Sequence, residues 1–158
     1  MNKTIDICAI GNSIVDQQFK VTQSVIDETN LNLGQMTLTD QSNQIKLLNQ
    51  CHKNKTDFTS DCGGSATNTI VAASLFGCHT HLFCAVANDK NGTIFKNSLE
   101  KSFVSYSNIP NNHSKKPTGS CIVLVTPDGQ RTMSTCLGIS AEFDPKLIDI
   151  EVITQSKM

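Results

Sequence analysis

The chain has 158 residues, of which 38% are hydrophobic and 17% charged, and its 13 Lys and Arg nearly balance its 14 Asp and Glu. This length suits one globular domain with its own core, and the composition excludes a disordered chain and a membrane-spanning protein. No basic stripe favours nucleic-acid binding, and no apolar run at the N-terminus is long enough for a secretory signal, so a cytoplasmic protein is predicted.

The cysteines predict buried thiols, with neither disulfides nor a metal site. Their number, seven, is odd, no two have C-x-x-C spacing, and most lie inside apolar runs, where a free thiol packs as a small hydrophobic group. They are Cys8, Cys51, Cys62, Cys78, Cys84, Cys121 and Cys136. Two of them, Cys78 and Cys84, flank His79 and His81, but no second pair of ligands has the spacing of a zinc site.

The first part of the chain predicts a buried strand followed by a polar excursion. In chain order the predicted elements are a strand at 6–10, a strand at 14–21 that leaves the main sheet, a short helix at 25–33, a strand at 36–39, a helix at 41–51 and a surface loop at 52–56. Gly34 closes the short helix, and Asp40 is placed to cap the longer one. In the longer helix Ile45, Leu47 and Leu48 are predicted to face inward.

The second part alternates strands and helices and so predicts an α/β domain in layers. Its predicted elements are a weak strand at 58–62, a helix at 65–76, a strand at 80–86, a helix from the turn at 88–92 to about 103, a polar loop at 108–117, hairpin strands at 120–126 and 131–136, and helical pieces at 140–143 and 145–150. The helix at 65–76 is predicted to bury Ala66, Ile70 and Ala73 with either Ala72 or Phe76. Residues 152–158 are predicted to form no complete element.

The motif GGSATN at 63–68 is the strongest local signal for a ligand site. A strand that enters two glycines and then a helix lets the backbone approach a ligand closely, and the unpaired amides of the first helical turn can donate to its oxygen atoms. Asn68 can reach the same space with a donor and an acceptor. The alternative is a plain strand–helix turn capped by Ser65. The motif is neither G-x-G-x-x-G nor a Walker loop.

The segment GNSIVD at 11–16 is the second signal. It follows the first strand directly, and loops at the carboxyl ends of parallel strands line ligand crevices. The carboxylate of Asp16 could accept hydrogen bonds from two neighbouring hydroxyls, as a sugar diol requires. The alternative is a solvated acid in a turn.

Together these segments resemble the PfkB or ribokinase family of sugar and nucleoside kinases. The double glycine followed by Asn68 resembles the first signature of the family, and the segment at 11–16 resembles the one whose Asp binds substrate hydroxyls. Further matches run in register along the chain: the turn VANDKNG at 86–92, the hairpin at 118–136, and the segment GQMTLTD at 34–40, which looks like the adenosine-kinase-like branch.

The resemblance implies a truncated ribokinase-like α/β fold, in which a three-layer Rossmann-type sheet carries a small β lid near residues 14–39 and 118–136. It implies that Asp16, Gly63, Gly64 and Asn68 bind substrate hydroxyls. Residues 1–158 would then be the N-terminal, substrate-binding part of a PfkB kinase domain, without the ATP-binding and catalytic C-terminal half.

The family transfers the γ-phosphoryl group of ATP, with Mg²⁺, to a hydroxymethyl group of a nucleoside such as adenosine or of a sugar. Its base and anion hole come from a late Gly-Ala-Gly-Asp motif, which these 158 residues do not contain. Because one lost anion-hole donor already costs about 10²–10³ in rate, the chain alone is expected to be inactive and to bind neither ATP nor Mg²⁺ productively.

Three situations fit this pattern. The chain could be half of a split kinase, a non-catalytic binding module for sugars or nucleosides, or a decayed gene fragment. The expected partners are a small-molecule sugar or nucleoside and either a complementing C-terminal half or a second copy joined through the lid. Neither nucleic acid nor a membrane is expected.

Overall fold

A computed structural model describes residues 3–53 and 58–158 and confirms an α/β fold. Its strands are β1 (Ile7–Ile10), β2 (Ile14–Lys20), β3 (Met36–Leu38), β4 (Phe58–Gly63), β5 (Thr80–Cys84), β6 (Ser105–Asn108), β7 (Gly119–Val125) and β8 (Arg131–Cys136). The α-helices are α1 (Gln23–Asp27), α2 (Gln41–Lys53), α3 (Ser65–Leu75), α4 (Lys90–Lys101) and α5 (Ile150–Thr154), and short 3₁₀-helices cover Gly138–Glu142 and Pro145–Leu147.

The strands form two sheets. The first is parallel, in the order β1-β5-β6, and the second is mixed, in the order β3-β8-β7-β2-β4. As predicted, β2 leaves the sheet of β1: it pairs in parallel with β7 and antiparallel with β4. Only residues 11–13 separate β1 from β2, so the two sheets meet where these strands join.

Two hydrophobic cores hold the helices against the sheets, and the first of them includes residues of both sheets. Helix α3 packs on β1 and β5, and α4 packs on β2, β4 and β6; the core there contains Val15, Ile70, Leu82, Cys84, Val86, Phe95, Leu99 and Val104. Helix α2 packs on β7 and β8, and the second core contains Phe19, Val21, Ile26, Leu47, Cys51, Ile122 and Leu124. Burial of these side chains, at roughly 25 cal/mol per Å² of apolar surface, holds helices and sheets together.

Helix α2 differs from its prediction in the face that it buries. Asp40 caps it as expected, since its Oδ1 accepts from the backbone N–H of Asn43 at 2.9 Å. The inward residues are Gln44, Leu47 and Cys51, whereas Ile45 is 50% exposed. Because Gln44 is polar, the hydrophobic pattern of the sequence does not show that it lies on the buried face of α2. Of the loop predicted at 52–56, His52 and Lys53 belong to α2, and 54–56 lie outside the described residues.

Helix α3 buries Thr67 and Ile70, but both proposed fourth members of its inward face are wrong. Phe76 is 90% exposed, because the helix ends at Leu75 and the chain turns away. Ala72 lies within the helix and is also exposed. Helix α1 likewise ends at Asp27, well before the predicted position 33.

Two further elements lay beyond the predictions. Strand β6 has the polar sequence SYSN and is a strand because it pairs with β5. Residues 152–158 were predicted to form no element, yet α5 ends at Thr154 and Ser156 forms a parallel bridge with Ile5. Long-range pairing, which local sequence does not report, forms β6 and the bridge of Ser156.

A buried glutamine fastens α2 to the second sheet. The Nε2 of Gln44 donates to the carbonyl oxygens of Ser120 and Ser134, both at 3.1 Å, and its Oε1 accepts from the hydroxyl of Ser134 at 3.0 Å. Because Ser120 and Ser134 lie on β7 and β8, one side chain joins the helix to two strands.

Replacing Gln44→Met should lower the free energy of unfolding by about 2 kcal/mol, because it leaves buried serine groups without partners while keeping the volume. Urea unfolding followed by circular dichroism measures this. The control is Gln50→Met, which removes one exposed contact with Glu28 at 3.4 Å and should change stability by less than about 0.5 kcal/mol. Equal effects of the two substitutions on stability would contradict the conclusion that Gln44 anchors α2 to β7 and β8.

Candidate ligand-binding face of the second sheet

Five residues in register form a row across the second sheet. Asp16 of β2 is the Cα partner of both Asp61 of β4 and Cys121 of β7. Cys121 pairs with Thr135 of β8, which pairs with Leu38 of β3. Because directly paired residues on neighbouring strands project to one face of a sheet, this row runs along the face opposite that covered by α2.

Gly63 makes room for the carboxyl group of Asp16. A Cβ atom built at Gly63 would overlap with the carboxyl carbon and both carboxylate oxygens of Asp16. Gly64 is equally constrained: its φ is +98°, and a Cβ there would overlap with the carbonyl oxygen of Asn12. The structure therefore brings Asp16 together with the diglycine: the backbone requires glycine at position 64, and at position 63 a side chain would displace the Asp16 carboxyl group.

Helix α3 begins directly after the diglycine. Gly64 is its N-cap residue and no side chain caps the helix, so the alternative in which Ser65 is the cap is wrong. The uncapped amides of the first turn remain available to an acceptor. Asn68 lies in the second turn, exposed, with its backbone N–H bonded to the carbonyl oxygen of Gly64 at 2.9 Å. Its role in binding stays a prediction.

Asp16 is a carboxylate without a donor. Neither an ion pair nor a hydrogen bond reaches its oxygens from the described part of the chain, 3–53 and 58–158. Burial, and then the negative charge of Asp61, raise the pKa of Asp16 above its usual value. Since the fold disfavours the ionised form, its cost to stability grows as pH rises from the ordinary pKa through the raised one. Donors from a ligand would offset that cost.

The other end of the row is apolar. Leu38 is 60% exposed and Met36, two residues earlier on the same face, is 53% exposed. Beside Leu38 and Thr135 lies a cavity of about 380 Å³, whose walls include Leu137 and Pro117. This cavity does not include Asp16. The polar and apolar groups therefore occupy opposite ends of the row.

Residues from β7 and β8 were missing from the predicted site. Cys121 and Thr135 are buried, and the Thr135 hydroxyl donates to Cys121 Sγ at 3.2 Å. Burial raises the pKa of Cys121 to about 11, so this thiol in the row is uncharged at neutral pH. The hairpin itself was predicted, but its register against β2, which brings these residues beside Asp16, has no local signal.

The carboxylate of Asp89, in the predicted turn at 86–92, links this turn to the hairpin of β7 and β8. Asp89 accepts from the backbone N–H of Gly92 at 2.7 Å, where it caps α4, and from that of Thr118 at 2.9 Å. Burial acts to raise its pKa, but these backbone donors hold the pKa of Asp89 below its usual value. The turn at 86–92 thus fixes the start of β7, and with it the row.

Residues 3–53 and 58–158 contain neither a cluster of metal ligands nor a membrane-spanning helix. No three His, Cys, Asp or Glu side chains there are grouped to hold a metal ion. His79 is exposed at the surface, whereas His81 is buried and bonded to the Ser107 hydroxyl at 3.0 Å. Within the same residues, no helix has the length and hydropathy to cross a membrane.

The fold and this face define an α/β protein whose second sheet presents a carboxylate against a glycine-lined helix start. Residues 7–157 match the pfkB family of carbohydrate kinases. The chain belongs to that family, as its motifs indicated.

Known proteins resemble this chain over nearly all of its length. It is 28% identical over 142 residues to an adenosine kinase of Dictyostelium discoideum, which covers 88% of this chain. A crystal structure of a probable sugar kinase from Rhizobium etli superposes with a TM-score of 0.84 at 28% identity, and the adenosine kinase of Sinorhizobium meliloti with 0.82 at 29%. Both cover 98% of this chain.

The chain spans less than half of these relatives. It covers 40% of the Dictyostelium protein and 46% of each of the two crystal structures. These 158 residues therefore match part of a kinase fold.

The contact between Asp16 and Gly63 can be tested without a ligand. Gly63→Ala should lower the free energy of unfolding by about 1–2 kcal/mol, because its Cβ displaces a partly buried carboxyl group. In an Asp16→Ala background the same change should be neutral or slightly stabilising, since Gly→Ala reduces the entropy of the unfolded chain. Urea unfolding of the four proteins gives the coupling energy.

An Asp61→Ala background is the matched control for this cycle. It removes the neighbouring carboxylate but leaves the overlap, so the full cost of Gly63→Ala should persist. A coupling energy near zero in the Asp16 cycle would mean that the carboxyl group does not rest against Gly63.

Proposed function

We propose that this chain is the substrate-binding portion of an ATP-dependent kinase that phosphorylates a hydroxymethyl group of a nucleoside or sugar, with adenosine as the leading candidate. The position of the Asp16 carboxylate against Gly63 is the observation that carries this proposal. There the Asp16 carboxylate, which accepts no hydrogen bond from residues 3–53 or 58–158, lies beside a helix start that no side chain caps. A polyhydroxylated ligand supplies the missing donors.

The proposed binding mode follows from the hydrogen-bonding capacity of the Asp16 carboxylate and of the ligand hydroxyl groups. An ionised carboxylate accepts from two adjacent hydroxyl groups, and hydrogen bonds to a charged group contribute about 1.5–3 kcal/mol each. In the proposed site Asp16 binds the diol of the sugar, the glycine backbone lets the ring come close, and Asn68 adds a donor and an acceptor. These groups hold the ligand in one orientation.

The apolar end of the row favours a nucleoside over a free sugar. Three strand spacings separate Asp16 on β2 from Leu38 on β3, which is about 14 Å. A ribose bound at Asp16 would leave Leu38 and Met36 exposed, whereas the base of a nucleoside extends towards them and buries apolar surface. Among the relatives, two are named adenosine kinases and one a probable sugar kinase.

Transfer of the phosphoryl group requires parts that this stretch of sequence does not contain. ATP would supply the γ-phosphoryl group, and a base and an anion hole are needed for the hydroxyl proton and the developing charge. The described residues have no cluster of side chains that fits Mg²⁺. We therefore assign no catalytic residue here, and the proposed activity requires a C-terminal half, on this chain or another.

Titration calorimetry of the chain with adenosine, ribose and adenine tests the proposal. Adenosine should bind more tightly than either of its parts, and Asp16→Asn should weaken binding by about 10- to 100-fold through loss of the charged acceptor. Asp27→Asn is the control, since Asp27 lies on α1 and accepts from Gln23. The affinity of this variant for adenosine should equal that of the unaltered chain. Equal affinity of Asp16→Asn and the unaltered chain would contradict the proposal.

A further inference from the structure

A groove crosses the parallel sheet at the end where its strands begin. It has a volume of about 490 Å³, and it is lined by residues that follow α3 and α4, by the start of β5 and by the segment before β1. Helix α3 begins at the diglycine and ends at this groove, so its 11 residues place the groove about 16 Å from the candidate site. The groove is therefore separate from the face that carries Asp16.

Thr80, at the start of β5, has a buried hydroxyl group without a partner. It lines the groove and is 4% exposed, and its Oγ1 makes no hydrogen bond with residues 3–53 or 58–158. Alternate residues of a strand face the same side of a sheet, and Leu82 and Cys84 belong to the core beneath α3 and α4. The Thr80 hydroxyl therefore lies on the side where these helices end. Because a buried polar group without a partner costs free energy, it indicates a ligand that bonds to it.

Phe103, which also lines the groove, is held in an unfavourable state in two respects. Its φ is +58°, in the left-handed region that a bulky residue rarely adopts, and it is 83% exposed. The hydroxyl of Ser74 donates to Phe103 O at 3.2 Å, which ties this strained backbone to the end of α3. Strained residues cluster where proteins hold ligands, so Phe103 is the second group that points to a binding site here.

The ends of two helices give the groove a preference for cations. The C-terminus of a helix carries a partial negative charge of about half an electron, and both α3 and α4 end at the groove. Lys101, in the last turn of α4, lines a different groove beside β4, and no Lys or Arg among the described residues lines this one. The face of an aromatic ring such as that of Phe103 also attracts cations. No group of metal ligands is present in residues 3–53 and 58–158, which favours an organic cation.

We propose that this groove binds the primary ammonium group of a small alkylamine, which donates an N–H to the Thr80 hydroxyl and lies against Phe103 between the ends of α3 and α4. Each feature of such a ligand has its counterpart: the donor matches the unpartnered hydroxyl, and the charge matches the helix ends and the ring. The proposal goes beyond the proposed function and does not rest on it, since no residue of the Asp16 row takes part.

NMR titration of the 158-residue chain with butylammonium chloride, and with 1-butanol as its neutral analogue, tests this site. Butylammonium should shift the amide signals of Thr80 and Phe103 to saturation and bind about tenfold more tightly than butanol. Thr80→Val keeps the shape but removes the hydroxyl, so it should weaken butylammonium binding about fivefold without lowering the urea midpoint of unfolding. Thr67→Val is the matched control, since it removes the other unpartnered buried hydroxyl of the described residues, at the opposite end of α3. Its affinity for butylammonium should be unchanged.

Phe103→Gly separates binding from folding. Glycine adopts a positive φ without strain, so this variant should unfold at a higher urea concentration, yet without the ring it should bind butylammonium about fivefold more weakly. Phe76→Ala is the control, because it removes a ring that is 90% exposed but does not line the groove. Equal affinity for butylammonium and butanol, or unchanged butylammonium affinity in Thr80→Val and Phe103→Gly, would overturn the proposal. No measurement here uses adenosine, so its failure is distinguishable from failure of the proposed function.

Discussion

The candidate site depends on one contact, that of the Asp16 carboxyl group with the backbone of Gly63. Any side chain at position 63 would occupy the space of the carboxylate, and no donor among the described residues compensates the charge. Burial of the carboxylate and the like charge of Asp61 both disfavour its ionised form. That cost is accounted for if a ligand with neighbouring hydroxyls completes the site.

The two-sheet architecture is what holds this contact in place. The chain crosses between the sheets several times, and glycines allow the crossings to pack closely: a Cβ at Gly11 would lie 2.5 Å from Cβ of Ala66, and one at Gly119 would lie 2.6 Å from Leu137 O. Gln44 on one face of the second sheet and Asp89 at its base then fix the strands relative to the helices. These contacts hold the candidate ligand-binding face against the helices.

Sequence reasoning predicted what local chemistry encodes. The hairpin of β7 and β8 has a Pro-Asp-Gly turn between β-branched strands, and the diglycine before α3 is a motif that backbone geometry explains. It missed β6, which depends on pairing with β5, the short helix α5, and the inward face of α2, where Gln44 is buried because Ser120 and Ser134 satisfy it. In the site, Asp16 and Gly63 were predicted to meet, but the row through Cys121 to Leu38 depends on a register that only the folded sheet defines.

The central claim is that Asp16 is the acceptor for ligand hydroxyls, and its own titration reports on this. Carboxyl ¹³C NMR of the free chain should show a raised pKa for Asp16, caused by burial and by Asp61. Hydroxyl donors favour the ionised form, so saturating adenosine should lower that pKa, and by linkage adenosine should bind more tightly above it than below it. A titration curve of Asp16 that adenosine leaves unchanged, in a protein saturated with it, would contradict the account.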